Sequence, residues 1–286
     1  MTQSPKRLAY LGPAGTFSEL ACVTYGPADL HLPYPSFQAA VSAVDRGEAD
    51  EAVLPIENSI EGPIAINVDL LIHDSDLRIR NEVVVPVWHY LMAHPGASLA
   101  DIKVVYSHPQ PLAQCRKYLS RSLPQVELVA SLSTAAAVQD MMKLGREVAA
   151  IAPKRAAELY GATILVERIE DNPSNMTRFV VLGRTDHPRT GRDKTSICFS
   201  FAADAPGILY SVLGEFATRK INMEKIESRP TKQSLGRYVF LVDLEGHRED
   251  RLLGDALEAV KKQVSMFKVF GSYPKFEGPT NGSPGQ

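Results

Sequence analysis

A polar turn, Asp171-Asn172-Pro173-Ser174-Asn175, hands Thr177 and Arg178 straight into the apolar run 179–182. Asn-Pro and Ser-Asn pairs are strong turn formers, so this pair should sit at the mouth of a strand, where ligands of α/β folds bind. Three more polar clusters follow apolar runs in the same way. Residues 52–56 run into Glu57-Asn58-Ser59-Ile60-Glu61-Gly62-Pro63, and residues 104–106 into Ser107-His108-Pro109-Gln110-Pro111, followed by a helix carrying Gln114. Residues 8–11 break at Gly12-Pro13-Ala14-Gly15 and restart as a helix at Thr16, with Glu19 at capping-box spacing. Such a helix start offers free N–H groups and a positive dipole end to a carboxylate. The glycine loop lacks G-x-x-x-x-G-K-[ST], which speaks against a nucleotide site.

The chain of 286 residues has room for about two domains, and 44% hydrophobic with 22% charged residues describes an ordinary globular composition. A net charge of −2 without a basic block leaves out the footprint of a nucleic-acid binder, so a small-molecule partner is expected. Cys22, Cys115 and Cys198 stand far apart, which fits neither a disulfide framework nor zinc and suits a reducing cytoplasm. The seven histidines form no H-x-H or H-E-x-x-H pattern; the nearest pair, His89 and His94, flanks a strand end and a turn, and no metal is expected. No apolar run approaches the ~18 residues of a membrane span.

The elements that must position these clusters come in two sets. Up to residue 92 the pattern is strand, loop, helix, with Ser36 capping a helix over Phe37, Ala40, Val41 and Val44, and a further helix near 64–72. An apolar β-type run over 83–92, interrupted by Pro86, reads as a crossover strand, after which the alternation starts again with strands near 104–106, 126–130, 148–151 and 164–166. That predicts a two-lobed, mostly parallel α/β structure with the polar strand ends converging on its cleft. Residues 186–193 read as a Pro/Gly linker. Beyond it come strand 195–201, a helix opened by Asp204 and Pro206, strand 223–227, a hairpin at 233–236, strand 238–244, helix 250–264 and strand 267–271. This is βαββαβ, a ferredoxin-like sandwich. The domains are therefore set at 6–184 and 194–274, with a disordered tail over 275–286.

Gly12-Pro-x-Gly-Thr-Phe-Ser-Glu19, Pro55-Ile-Glu-Asn-Ser-x-Glu-Gly62, Ser107-His-Pro-Gln-x-x-x-Gln-Cys115 and Asn175-x-Thr-Arg-Phe179 resemble, in order, the catalytic motifs of prephenate dehydratases. Pro206-Gly207 and Glu227-Ser228-Arg229-Pro230 are similar to the phenylalanine-binding motifs of ACT regulatory domains. The resemblance implies a monofunctional enzyme: a two-lobed, periplasmic-binding-protein-like catalytic domain with a ferredoxin-like ACT domain, and no fused chorismate mutase module. It implies loss of CO2 and water from prephenate to give phenylpyruvate, without metal or organic cofactor, since aromatisation supplies the driving force.

On that resemblance Thr177 is the catalytic residue, a positioned hydrogen-bond donor to the departing hydroxide. Thr16, Asn58, Ser59, Ser107, Gln114, Arg178 and Phe179 form the substrate-binding set, with helix ends and Arg178 holding the two carboxylates. Glu57 and Glu61 are read as capping groups or Arg178 partners at least as readily as catalysts, and His108 is not needed as a base. The resemblance places L-phenylalanine at Gly207, Ile208, Leu209, Asn222, Glu227, Ser228, Arg229 and Pro230. Ile208 departs from the Gly-Ala-Leu of the family and adds bulk there. A homodimer or homotetramer paired through ACT domains is expected. Arogenate dehydratase, acting on the aminated substrate, is the alternative enzyme, and a non-catalytic amino-acid sensor the alternative outside enzymes.

Overall fold

The computed structural model describes residues 4–231 and 236–276. The elements up to the expected linker are β1 (Arg7–Leu11), α1 (Phe17–Tyr25), β2 (Leu30–Tyr34), α2 (Phe37–Asp45), β3 (Glu51–Asn58), β4 (Gly62–Pro63), α3 (Ala65–Asp69), β5 (Arg78–Pro86), β6 (Tyr90–Ala93), β7 (Val104–Ser107), α4 (Pro109–Gln114), α5 (Arg116–Ser122), β8 (Glu127–Ala130), α6 (Thr134–Leu144), β9 (Val148–Ala152), α7 (Lys154–Tyr160), β10 (Thr163–Val166) and β11 (Met176–Gly183). After it come β12 (Asp193–Ser200), α8 (Ile208–Thr218), β13 (Met223–Pro230), β14 (Tyr238–Glu245), α9 (Arg251–Lys261) and β15 (Met266–Pro274), the expected βαββαβ order.

Three sheets result. The first runs β2-β1-β3-β11-β5 with β4 on β3, the second β10-β6-β9-β7-β8, the third β13-β14-β12-β15. The residues 83–92, expected as one crossover strand, are two strands in different sheets: β5 ends at Pro86, and the chain re-enters the second sheet as β6. Proline has no N–H to give a ladder, so the break falls there. β6 pairs antiparallel with both β9 and β10, whereas β7 is parallel to β8 and β9, so the second sheet is mixed rather than mostly parallel. The central strand β9, Val-Ala-Ala-Ile-Ala, is buried at all five positions. Its alanines, with Ala137, Ala156 and Ala157, let α6 and α7 pack closely on the sheet. The helix expected over 64–72 is α3 followed by a π-helical turn, Leu70–Asp74.

Two compact units emerge, residues 1–64 with 83–179 and residues 65–82 with 180–286, a division different from the expected 6–184 and 194–274. In the second unit the third sheet carries α8 and α9 on one face, around Ile197, Phe199, Val212, Phe216, Val242 and Leu257. Its other face meets residues 65–82. Lys194 Nζ lies 3.0 Å from the buried Glu82 carboxylate, Lys268 Nζ donates to Ser75 O at 2.7 Å, and Arg229 pairs with Asp69 at 3.0 Å. A buried carboxylate stripped of its partner is costly, so residues 65–82 are energetically bound to the C-terminal sandwich. The tail expected from 275 lies, from 277 on, outside the described residues, as does most of the 233–236 hairpin.

The expected linker 186–193 is knitted in place. Asp186 Oδ1 accepts from Ser272 N at 3.2 Å and Asp186 pairs with Arg248, while Thr190 Oγ1 and N and Gly191 N all donate to the Asp193 carboxylate. Burial by itself pushes the Asp193 carboxyl up, but the hydrogen bonds from Thr190 and Gly191, with His247 nearby, hold it below its ordinary value. Because the native carboxyl then titrates below the ordinary value of about 3.9, the unfolded chain binds more protons at acid pH. Its contribution is complete above that value and is lost as pH falls through the native one. Asp193→Asn is expected to cost about 1.5–3 kcal/mol at pH 7 in denaturant unfolding, the range for hydrogen bonds to a charged group, and the gap to wild type should close as pH falls through the lowered native value. A gap independent of pH would refute the assignment.

Candidate active site

Asn58, the last residue of β3, stands where the first sheet's polar strand ends meet. Its side-chain orientation is fixed from one side: Oδ1 accepts from Ile60 N at 3.0 Å and Glu61 N at 3.1 Å. Nδ2 therefore points the other way, donating to Asn175 Oδ1 at 2.8 Å, Thr177 Oγ1 at 3.0 Å and Met176 O at 3.2 Å. Asn58, Asn175 and Thr177 are all buried. Ser59 doubles the tie, since its N–H donates to Met176 O and its Oγ accepts from Met176 N, both at 2.9 Å.

The network continues into α4 of the second sheet's lobe. Asn175 Nδ2 donates to Gln114 Oε1 at 3.1 Å, and Gln114 Nε2 donates to Glu61 Oε1 at 2.8 Å. Three of the four segments expected at strand mouths are thus joined by amides whose orientations follow from one another. Thr177 Oγ1 is an acceptor in this scheme. Its own proton is not used by Asn58 and remains available for donation.

The other expected residues divide. Arg178 is partly buried and its guanidinium lies 3.3 Å from Glu57, so the Glu57 carboxylate serves as its ion-pair partner. Thr16 caps α1, accepting from Glu19 N at 3.4 Å, but the capping box is displaced by one residue: the Glu19 carboxylate takes the N–H of Gly15 and pairs with Arg155 at 3.3 Å. The protein's own carboxylate thus occupies a donor of the glycine loop. Ser107 is fully buried and spends its hydroxyl proton on Ile151 O at 2.7 Å, so it ties β7 to β9 and donates nothing to the opening. Phe179 is 1% exposed and belongs to the core rather than to a ligand-facing surface. His108 Nδ1 accepts from Gln110 N at 3.3 Å and caps α4.

Two participants were absent from the expected set. Asn175 stood in the quoted motif, without a role. His89, at the end of an apolar run, contacts Gln114; a lone histidine there carries no readable signal. The three cysteines are free and buried, and burial pushes the Cys198 thiol up to about 12 and the other two higher still, so none is a ready nucleophile. Among the described residues no three His, Cys, Asp or Glu side chains cluster as metal ligands, and no helix is long and apolar enough to cross a membrane.

In the C-terminal sandwich a pocket of about 390 Å³ is lined by Gly207, Ile208, Leu209 and Tyr210 with Phe201, Tyr238 and Phe240 among others. Gly207, with φ 82°, is the N-cap of α8, and a Cβ there would meet nothing within 4 Å. The remaining expected effector residues are not among those lining this pocket. β13 alternates strictly, so Glu227 and Arg229 turn toward α3 while Ser228 and Pro230 are exposed opposite Phe240 and Tyr238. Asn222 borders a separate hollow with Gly246 and Arg251.

Prephenate dehydratase of Mycobacteroides abscessus is 37% identical over 290 residues, covering 98% of this chain and 94% of that one. The crystal structure of prephenate dehydratase in complex with L-Phe from Arthrobacter aurescens superposes with a TM-score of 0.86 at 36% identity, over 94% of this chain and 90% of the other. GqqA, a novel type of quorum quenching acylase, superposes with the same TM-score of 0.86 at 33% identity, over 95% of this chain and 99% of its own. The prephenate dehydratase family profile matches residues 8–187 and the ACT domain profile residues 196–262. With the amide network and the sandwich in place, the chain belongs to the prephenate dehydratase family, with a C-terminal ACT domain.

Proposed function

We propose that the chain converts prephenate to phenylpyruvate, CO2 and water, with Thr177 as the donor to the departing hydroxyl, and that L-phenylalanine regulates it through the pocket at Gly207. The observation that carries the reading is the Asn58 to Thr177 hydrogen bond of 3.0 Å, in which Thr177 is the acceptor. It turns the hydroxyl so that its proton is the part left to offer. In the reaction the ring–carboxylate bond breaks and its electron pair moves through the ring. The ring C–O bond then breaks, and the leaving oxygen takes one proton to become water. A donor at that oxygen stabilises charge that exists only in the transition state. The alkyl hydroxyl is too weak an acid to give up its proton permanently, so the network's task is orientation, with the proton restored from water. Arg178, beside Glu57, is placed to meet a substrate carboxylate at partial cost of its own ion pair.

Acyl transfer, as in the acylase relative, is the second reading. It requires a base to remove the Thr177 proton, and the partner Thr177 has is Asn58 Nδ2, a donor. The arrangement favours proton donation over nucleophilic attack.

An aromatic amino acid suits the pocket at Gly207, where Phe201, Tyr238 and Phe240 give apolar walls and the start of α8 offers N–H groups. β13 is an edge of the third sheet, which suits pairing of two copies into a homodimer or homotetramer.

Thr177→Val is expected to reduce prephenate turnover by roughly 10²- to 10⁴-fold, and Thr177→Ser by less, followed as phenylpyruvate formation. A valine variant near wild-type turnover would remove Thr177 from the chemistry. For the regulatory site, calorimetry of L-phenylalanine binding to wild type and Gly207→Ala is decisive. Gly207 lines the pocket and leaves space where a Cβ would stand, so alanine should crowd the ligand at the start of α8 and lower affinity about tenfold, or about 1.4 kcal/mol. Unchanged affinity would place the effector elsewhere.

A further inference from the structure

Gln114 is held from three sides. Its Oε1 accepts from Asn175 Nδ2 at 3.1 Å and lies 2.8 Å from His89 Nε2, while its Nε2 is given to Glu61. The amide orientation is set through Asn175 by Asn58, so the atom facing the imidazole is oxygen. Oxygen carries no hydrogen here, and the imidazole must be the donor. His89 is therefore the Nε2–H tautomer.

Its other nitrogen confirms the economy of the arrangement. Nδ1 is buried without a hydrogen-bond partner, and the ring, 1% exposed, meets Phe17 edge-on with centroids 5.6 Å apart. A second proton on Nδ1 would find no acceptor, and burial pushes the imidazole below its ordinary value, so the ring is neutral at pH 7. The backbone is clamped as well: His89 N donates to Glu170 Oε2 at 2.9 Å and Ile169 N donates to His89 O at 2.9 Å. A rigid, neutral donor of fixed tautomer is thus aimed at one oxygen of the amide that links the two lobes.

We propose that His89 is a positioning residue for the elimination: its Nε2–H holds Gln114 and, through Asn175 and Asn58, the hydroxyl of Thr177. The proposal rests on Thr177 being the donor to the leaving oxygen. The step needs no base, and the hydrogen bond of the His89 ring goes to Gln114, so what that N–H contributes travels through Gln114.

The test is steady-state turnover of prephenate by wild type, His89→Phe, His89→Gln, Gln114→Ala and the double variant His89→Phe/Gln114→Ala. Phenylalanine keeps the ring and loses the donor; glutamine restores an N–H near the place of Nε2. Misplacement of a reacting group by about 1 Å costs about 10²-fold, so a loss in kcat of roughly 10- to 100-fold is expected for His89→Phe, with KM changed far less. His89→Gln should recover most of it. In the Gln114→Ala background the same phenylalanine substitution should cost less than about twofold, because its route of action is gone. Near wild-type kcat in His89→Phe, no rescue by glutamine, or full multiplicative losses in the double variant would overturn the proposal. Nitrogen-15 NMR of the wild-type imidazoles gives a measurement that needs no variant. A neutral His89 protonated at Nε2 at pH 7 is expected; an Nδ1–H tautomer or an imidazolium would overturn it. If wild type releases no phenylpyruvate from prephenate, the parent reading falls and this inference with it.

Discussion

The side chain of Asn58 has to satisfy both ends of a buried amide, and the organisation of the site follows from how it does so. Two backbone N–H groups of the turn after β3 claim the oxygen. Nitrogen is then forced toward Thr177 and Asn175, more than a hundred residues away in sequence. From there no amide can flip without opposing donor to donor: donation runs outward from Asn58 through Asn175 and Gln114 to Glu61, and His89 donates inward to the Gln114 oxygen. Each such bond adds only about 0.5–1.5 kcal/mol, yet leaving one buried partner unpaired costs about 1–3 kcal/mol, so the set is more exacting than it is stabilising. That is the property the proposed elimination requires of its donor, which has to be held in place.

The cores serve that placement differently. β3 is buried along almost its whole length and ends on Asn58, so the critical amide is the terminus of a rigid strand rather than part of a loop. Gln114 ends a short helix, α4, whose start is pinned by the His108 side chain. In the second lobe, alanines take the positions where helix and sheet meet, which lowers side-chain freedom at little cost in packing. Ser107, fully buried, helps brace this lobe by bonding Ile151, and a hydroxyl that is already spent there cannot also serve a ligand.

Much of this was legible in the sequence. Thr16 and Ser36 cap the helices that follow them, and turn residues marked the strand mouths, because caps and turns are local chemistry. Long-range partners were not. Nothing near Asn58 specifies that its nitrogen meets residue 177, and nothing near Glu19 specifies that its carboxylate reaches Gly15 and Arg155 instead of closing the capping box. β2, Leu30–Tyr34, was not expected as a strand; it lies at a sheet edge, where Pro33 costs no ladder hydrogen bond. The break between β5 and β6 was signalled by Pro86 but not its consequence, since which sheet receives each half depends on packing.

The regulatory motif illustrates a signal that was present and outweighed. Glu227-Ser228-Arg229-Pro230 was taken as one set on its resemblance to an ACT motif, but side chains of a strand alternate between faces. The register with β14 puts Ser228 beside Phe240 and Pro230 beside Tyr238, on the face that carries α8 and the pocket. Glu227 and Arg229 oppose Leu241 and Val239 on the other face, where Arg229 bonds Asp69 at 3.0 Å and Ala65 O at 3.4 Å. One strand therefore answers to two environments. Its pocket-side residues are exposed and uncommitted, whereas its opposite face is committed by charge to α3, which follows directly in the chain from the turn that orients Asn58. A contiguous motif is the expected form for such a strand: four consecutive residues are the shortest stretch that gives two side chains to each face.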